Sequence, residues 1–145
     1  VEDSALFGEG DEADVQAVNI SLTLEDGAFQ YASLNSLSLS GESLEIGASA
    51  FFCCEDLATI NMDSPAVTIG EYAFYSCEDL VSVSICENDR TDNVISIEDQ
   101  AFAYCRDLTT AVIGDGTVEI GDEVFSECAK DLTITIAGQS YMNLS

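Results

Sequence analysis

A single phrase recurs along the chain and limits what it can fold into. Ile46-Gly47-Ala48-Ser49-Ala50-Phe51 is followed at fixed distances by Cys54, Leu57, Ile60 and Met62. Ile69 to Phe74 leads likewise to Cys77, Leu80, Val83 and Ile85, and Ile97 to Phe102 leads to Cys105, Leu108, Ala111 and Ile113. Ile120 to Phe125 continues through Cys128, Leu132, Ile134 and Ile136, with Leu132 one place late. An earlier copy, Leu24 to Phe29, runs on through Ala32, Leu34, Leu37 and Leu39 and is one residue short. Phe7 opens a degenerate copy before it, with Val15 and Ala17 in the strand places. The phenylalanines at 7, 29, 51, 74, 102 and 125 are thus 22, 22, 23, 28 and 23 residues apart. One such unit has too little apolar surface to fold alone, so neighbours must stack and share a core. The chain is a solenoid.

Within each unit, two segments alternate with period 2, as half-buried strands do. Leu80-Val81-Ser82-Val83-Ser84-Ile85 turns Val83 and Ile85 inward and the two serines outward. Val67-Thr68-Ile69 is a second, shorter strand, ended by Gly70, where a turn or a close backbone approach is expected. Glu98 takes that glycine place in one copy, which predicts a less regular turn there. The stretch from Glu71 to Cys77 predicts one helical or 3₁₀ turn, too short for an independent helix. Phe29, Phe51, Phe74, Phe102 and Phe125 are the expected core, since a buried phenyl ring supplies most of each coil's apolar area.

The pattern Ile-Gly-x-x-Ala-Phe-x-x-Cys-x-x-Leu-x-x-Val-x-Ile resembles the BspA-type (Treponema pallidum-type) leucine-rich repeats, over about residues 22–136. The resemblance implies a leucine-rich-repeat solenoid of five to six repeats, a right-handed curved coil with a strand-lined concave face. It also implies a secreted or cell-surface protein, of bacterial or protozoan type, that adheres to host or neighbouring proteins. One departure concerns the place after the concave strand, where the family often has proline. Ser40, Asp63, Cys86, Gly114 and Ala137 stand there instead.

Composition narrows the function. Against 28 Asp and Glu stand 3 Lys and Arg, giving a net charge of −25 with no histidine. Phosphate neutralisation needs clustered cations, so no nucleic-acid partner is expected, nor docking on anionic lipid. The missing imidazole removes Ser-His and Cys-His nucleophile pairs, and neither catalysis nor a cofactor is expected. Val1 to Val15 is acidic and lacks the apolar run of a signal peptide, and no window is apolar enough to insert in a membrane. One repeat domain over 1–145 is expected: an acidic degenerate repeat or cap at 1–21, regular repeats at 22–136 with a loop insertion at 86–94, and a further coil starting at 137–145. That coil would leave an uncapped end open to weak self-association, and the chain reads as a fragment of a longer protein.

Four cysteines, Cys54, Cys77, Cys105 and Cys128, share one repeat place. Such a ladder reads as buried free thiols, with stacked disulfides as the alternative. A tetrahedral zinc site is disfavoured because a linear ladder does not converge, so no metal is expected. Cys53 and Cys86 lie off the ladder and are candidates for reactive thiols. Asp26, Glu71, Asp99 and Asp122, and then Asp56, Asp79, Asp107 and Asp131, read as solvated turn faces, with calcium binding as the alternative.

Solenoids usually bind through the outward places of their inner strands. Here these are Ser36 and Ser38, Thr59 and Asn61, Ser82 and Ser84, Thr110 and Val112, and Thr133 and Thr135. Asp89, Arg90 and Asp92 in the insertion form a candidate contact loop, and Tyr31, Tyr72, Tyr75 and Tyr104 a second edge. The reading is a non-catalytic protein-binding module whose partner is an extracellular protein. A passive spacer is the alternative, and a carbohydrate-active solenoid using acidic residues a more distant one.

Overall fold

Alternating apolar and polar residues pair into one continuous sheet, parallel except at its last strand. The computed structural model describes residues 11–136 and 139–142, with side chains from residue 21 to 136. Ten strands occur among them: β1 (Asp11–Leu24), β2 (Leu34–Ile46), β3 (Thr59–Asp63), β4 (Ala66–Ile69), β5 (Ser82–Ile85), β6 (Asn93–Ile97), β7 (Thr110–Ile113), β8 (Gly116–Ile120), β9 (Thr133–Ile136) and β10 (Gln139–Met142). The sheet order is β10-β9-β7-β5-β3-β2-β4-β6-β8, with β1 also on β2. The long β2 therefore feeds two arms, one of β3, β5, β7 and β9 and one of β4, β6 and β8. The architecture is a leucine-rich-repeat solenoid of parallel strands.

Register is kept from coil to coil. Leu37, Ile60, Val83, Ala111 and Ile134 are successive partners in the first arm, and Leu44, Val67, Ile95 and Val118 in the second. Val15 and Ala17, expected in strand places, pair with Leu39 and Gly41, while Phe7 lies outside the described residues. Where a further coil was expected over 137–145, Gln139–Met142 instead pairs antiparallel with β9, turning back along that strand. Leu144 lies outside the described residues.

The expected helical or 3₁₀ turns do not form: no helix occurs among the described residues. Each arc is a run of turns in which backbone donors alternate between two targets. Gly27, Phe29 and Tyr31 donate to Ala48, Ala50 and Phe52 of the next coil, whereas Ala28, Gln30 and Ala32 donate three residues back. The same alternation holds at Ser49–Cys54 and Tyr72–Cys77. A helix would need every N–H for itself, and stacking claims half of them. The switch requires left-handed φ two residues before and after each phenylalanine, as at Ser49 (56°) and Cys53 (56°), and Tyr72 (59°) and Ser76 (58°). No β-branched residue stands at these places, where it would clash most.

Phe29, Phe51, Phe74, Phe102 and Phe125 stack down the core, with centroids 5.2, 5.0, 5.2 and 5.7 Å apart and planes within 14° of parallel. Leu34, Leu57, Leu80, Leu108 and Leu132 form a second, fully buried row. Gly70 is needed for close approach, not for its φ: a Cβ there would lie 2.8 Å from the Ala48 nitrogen. Glu98 nonetheless makes the ladder bond its glycine counterparts make, to Ile69 at 2.9 Å, so the less regular turn expected there is not seen in that bond.

Phe74 sits between two stacked rings, so Phe74→Ala should lose burial and leave a cavity between coils. A destabilisation of about 3–5 kcal/mol is expected by chemical denaturation. A loss below about 1 kcal/mol would mean that the phenyl row is not the core.

Candidate functional site

The outward side chains of the first arm fall into two registered rows. Ser36, Thr59, Ser82, Thr110 and Thr133 are successive partners, as are Ser38, Asn61, Ser84, Val112 and Thr135. Thr59, Asn61 and Thr110 are exposed and the others half-buried. Ser84 donates its hydroxyl to Glu87 at 3.0 Å. Glu12 and Asp14 of β1 stand at the register positions beside Ser36 and Ser38, which the sequence reading did not include. The surface carries hydroxyls and an amide in fixed spacing, suited to direct or water-bridged hydrogen bonds.

The insertion at 86–94 is anchored from below. Asn93 is fully buried and donates to Asn88 Oδ1 (3.2 Å), the Arg90 carbonyl (3.4 Å) and the Asp115 carbonyl (2.8 Å). Asn88 in turn donates to Asp63 at 2.9 Å. Asp89, Arg90 and Asp92 ride on this base as exposed side chains. Neither asparagine stood out in sequence, although a buried amide is what a loop with free backbone groups needs.

The thiol ladder has a defined chemistry. Cys54, Cys77, Cys105 and Cys128 donate S–H to the carbonyls of Phe29, Phe51, Phe74 and Phe102, one coil back, at 3.1–3.3 Å. All six cysteines are unpaired. The neighbouring thiol of Cys77, followed by burial, raises the Cys54 pKa, and burial pushes Cys128 up to about 12. Cys86, expected as a reactive thiol, is instead fully buried, donates to the Ser64 carbonyl at 3.0 Å and is pushed up by burial to about 11. Cys53 is half-buried on the arc, and its pKa is raised by burial and then by Glu55.

Several acidic side chains hold exposed backbone donors between coils. Asp26 accepts from the Ala48 N–H (2.8 Å), Asp99 from Asp122 (2.8 Å) and Glu98 from Glu71 (3.2 Å). Among the described residues, no three Asp, Glu or Cys side chains converge as a metal site would require. An open groove of about 360 Å³ is lined by Glu71, Glu98, Asp99 and Glu119 but by no aromatic platform for a sugar.

An outer aromatic row follows the arcs. Tyr31 meets Phe52 edge-on at 6.1 Å, Phe52 stacks on Tyr75 at 5.3 Å, and Tyr75 meets Tyr104 at 5.2 Å. Tyr72 packs edge-on against Tyr75. The sequence reading found the tyrosines but missed Phe52, which links them. Its signal was an aromatic one or two places after the core phenylalanine in four copies.

Registered rows of this kind define a repeat module with a leucine-rich core and side chains displayed one coil apart. The BspA type leucine rich repeat region matches residues 13–133 in six copies, and the chain belongs to that family. It is a repeat module generally used for protein–protein interaction. No curated protein and no solved structure matches the chain.

Two expectations follow from the thiols. Alkylation of the native protein should leave Cys54, Cys77 and Cys105 unlabelled, and unfolding without reductant should expose them to label. Mass spectrometry reads the result, and masses two units low per cysteine pair would show disulfides instead. The folded chain also holds the Cys86 and Cys128 protons more tightly than the unfolded chain, whose thiols titrate near 9.0. This stabilisation is full below about pH 9 and is lost as pH rises through about 11 and 12. Denaturation midpoints should therefore fall above pH 9, less steeply in Cys86→Ala/Cys128→Ala. An equal slope in that variant would exclude these two thiols as the cause.

Proposed function

We propose that the chain is a non-catalytic protein-binding module of a secreted or cell-surface repeat protein, adhering to host or neighbouring extracellular proteins through the face of β2, β3, β5, β7 and β9. One observation carries this reading: two side-chain rows are held in register across five strands. A rigid sheet presents these groups pre-organised, so binding does not have to order the backbone. Each coil then adds a small contribution along an extended partner. The passive-spacer reading draws on the same rows, which contain none of the Trp, Tyr or Arg anchors that dominate tight protein interfaces.

An array of purified extracellular proteins at physiological salt separates the two. The wild-type chain should retain at least one partner, and Thr59→Arg/Thr110→Arg should weaken it by about tenfold or more through bulk and charge on the face. Retention of nothing would support the spacer. A partner held equally by the double variant would place the interface elsewhere.

A further inference from the structure

The aromatic row lies on the arcs, away from the hydroxyl face. Its two middle rings, Phe52 and Tyr75, are within 2° of parallel, so their faces serve one another. The end rings differ. Tyr31 stands at 77° to Phe52 and is 67% exposed, while Tyr104 is tilted 48° from Tyr75. The guanidinium of Arg106 covers Tyr104, 5.3 Å from the ring centroid, and its Nε lies 3.5 Å from Glu78 of the preceding coil. The chain thus displays on itself a planar cation resting on a phenol ring and held by a carboxylate one coil away.

Toward Tyr31 the same elements recur without a cation. Glu55 and Glu78 stand in the repeat place that Arg106 holds, each followed by an aspartate, Asp56 and Asp79. Burial, followed by the charges of Glu55, Cys54 and Glu78, raises the pKa of Cys53 in this arc. The chain's other cations are Arg90, on the corner loop beyond β5, and Lys130, one coil past Arg106.

We propose that this row is a docking surface for an arginine-bearing segment of a partner protein, which lays a guanidinium on Tyr31 and pairs with Glu55, one coil away. Arginine suits both elements, since its flat cation stacks on an aromatic face and forks onto carboxylates. The charge fits, because a chain of net −25 attracts a basic segment and repels a second copy of itself. The surface stands independently of the hydroxyl face.

Fluorescence anisotropy with labelled hexa-arginine at about 150 mM salt, where long-range charge effects are screened, tests it. Tyr31→Ala keeps the charge and should weaken binding about three- to fivefold. Glu55→Gln, on an exposed side chain, should weaken it similarly and supports the reading if Tyr31→Ala disturbs its coil. Arg106→Ala should tighten binding by freeing Tyr104 and Glu78, whereas Arg90→Ala, which removes the same charge from the corner loop, should not. Thr59→Val/Thr110→Val should leave the peptide unaffected, which separates this surface from the hydroxyl face. No binding, equal binding by Tyr31→Ala and Glu55→Gln, or equal tightening by Arg90→Ala would overturn the proposal, the latter two in favour of diffuse charge attraction. Weakening by the threonine pair would overturn it as well.

Discussion

In four successive arcs every second backbone N–H is donated to the next coil, and the cross-section of the solenoid depends on that sharing. Other donors close on their own arc three residues back, so the arcs are runs of turns and not helices. Once two arcs are joined in this way, the phenylalanines must face one another at about the spacing of paired strands. Their centroids, 5.0 to 5.7 Å apart, follow from the backbone rather than from any preference of the rings. The cysteine place follows too: three residues after the phenylalanine, a small apolar side chain with one weak donor reaches the carbonyl one coil back.

Acidity acquires a structural meaning in this frame. Stacked coils leave backbone N–H groups at the arc entrance, and a short carboxylate from an adjacent coil accepts them. Like charges one coil apart repel only weakly when exposed and screened, so the hydrogen bonds outweigh the crowding. Asp26 and Asp99 reach forward to the following coil, while Glu98 reaches back to Glu71. Ala48, in the same repeat place as Asp26, has no carboxylate to offer Glu71.

Periodicity made the repeats, the two strands per coil and the inward rows legible, because a position buried in one coil must be buried in all. The phenylalanine row and the outward rows from Ser36 to Thr135 come directly from that logic. The arc did not, because a short stretch such as Glu71 to Cys77 has the same pattern whether its donors bond within the segment or to a neighbour. Left-handed φ at Tyr31, Tyr72 or Gln100 carries no glycine to announce it. Asn93 and Cys86 were hidden for another reason: both sit in the insertion, where the repeat offers no template. Phe52 was overlooked because it adjoins the core Phe51, and only the folded arc turns the two rings onto different rows.

Six extra residues between the phenylalanines at 74 and 102, compared with the 22-residue steps earlier in the chain, leave no trace in either arm. Ile85 still pairs with Ile113, and Ile95 with Val118. The excess length leaves the stack at one corner and returns through Asn93, whose amide ties the loop to the next coil. Chain length and stacking are thereby uncoupled at that corner. New sequence can be written there without rewriting the coil, so the corner, rather than the ladders, is where such an array can diversify or accept a grafted peptide.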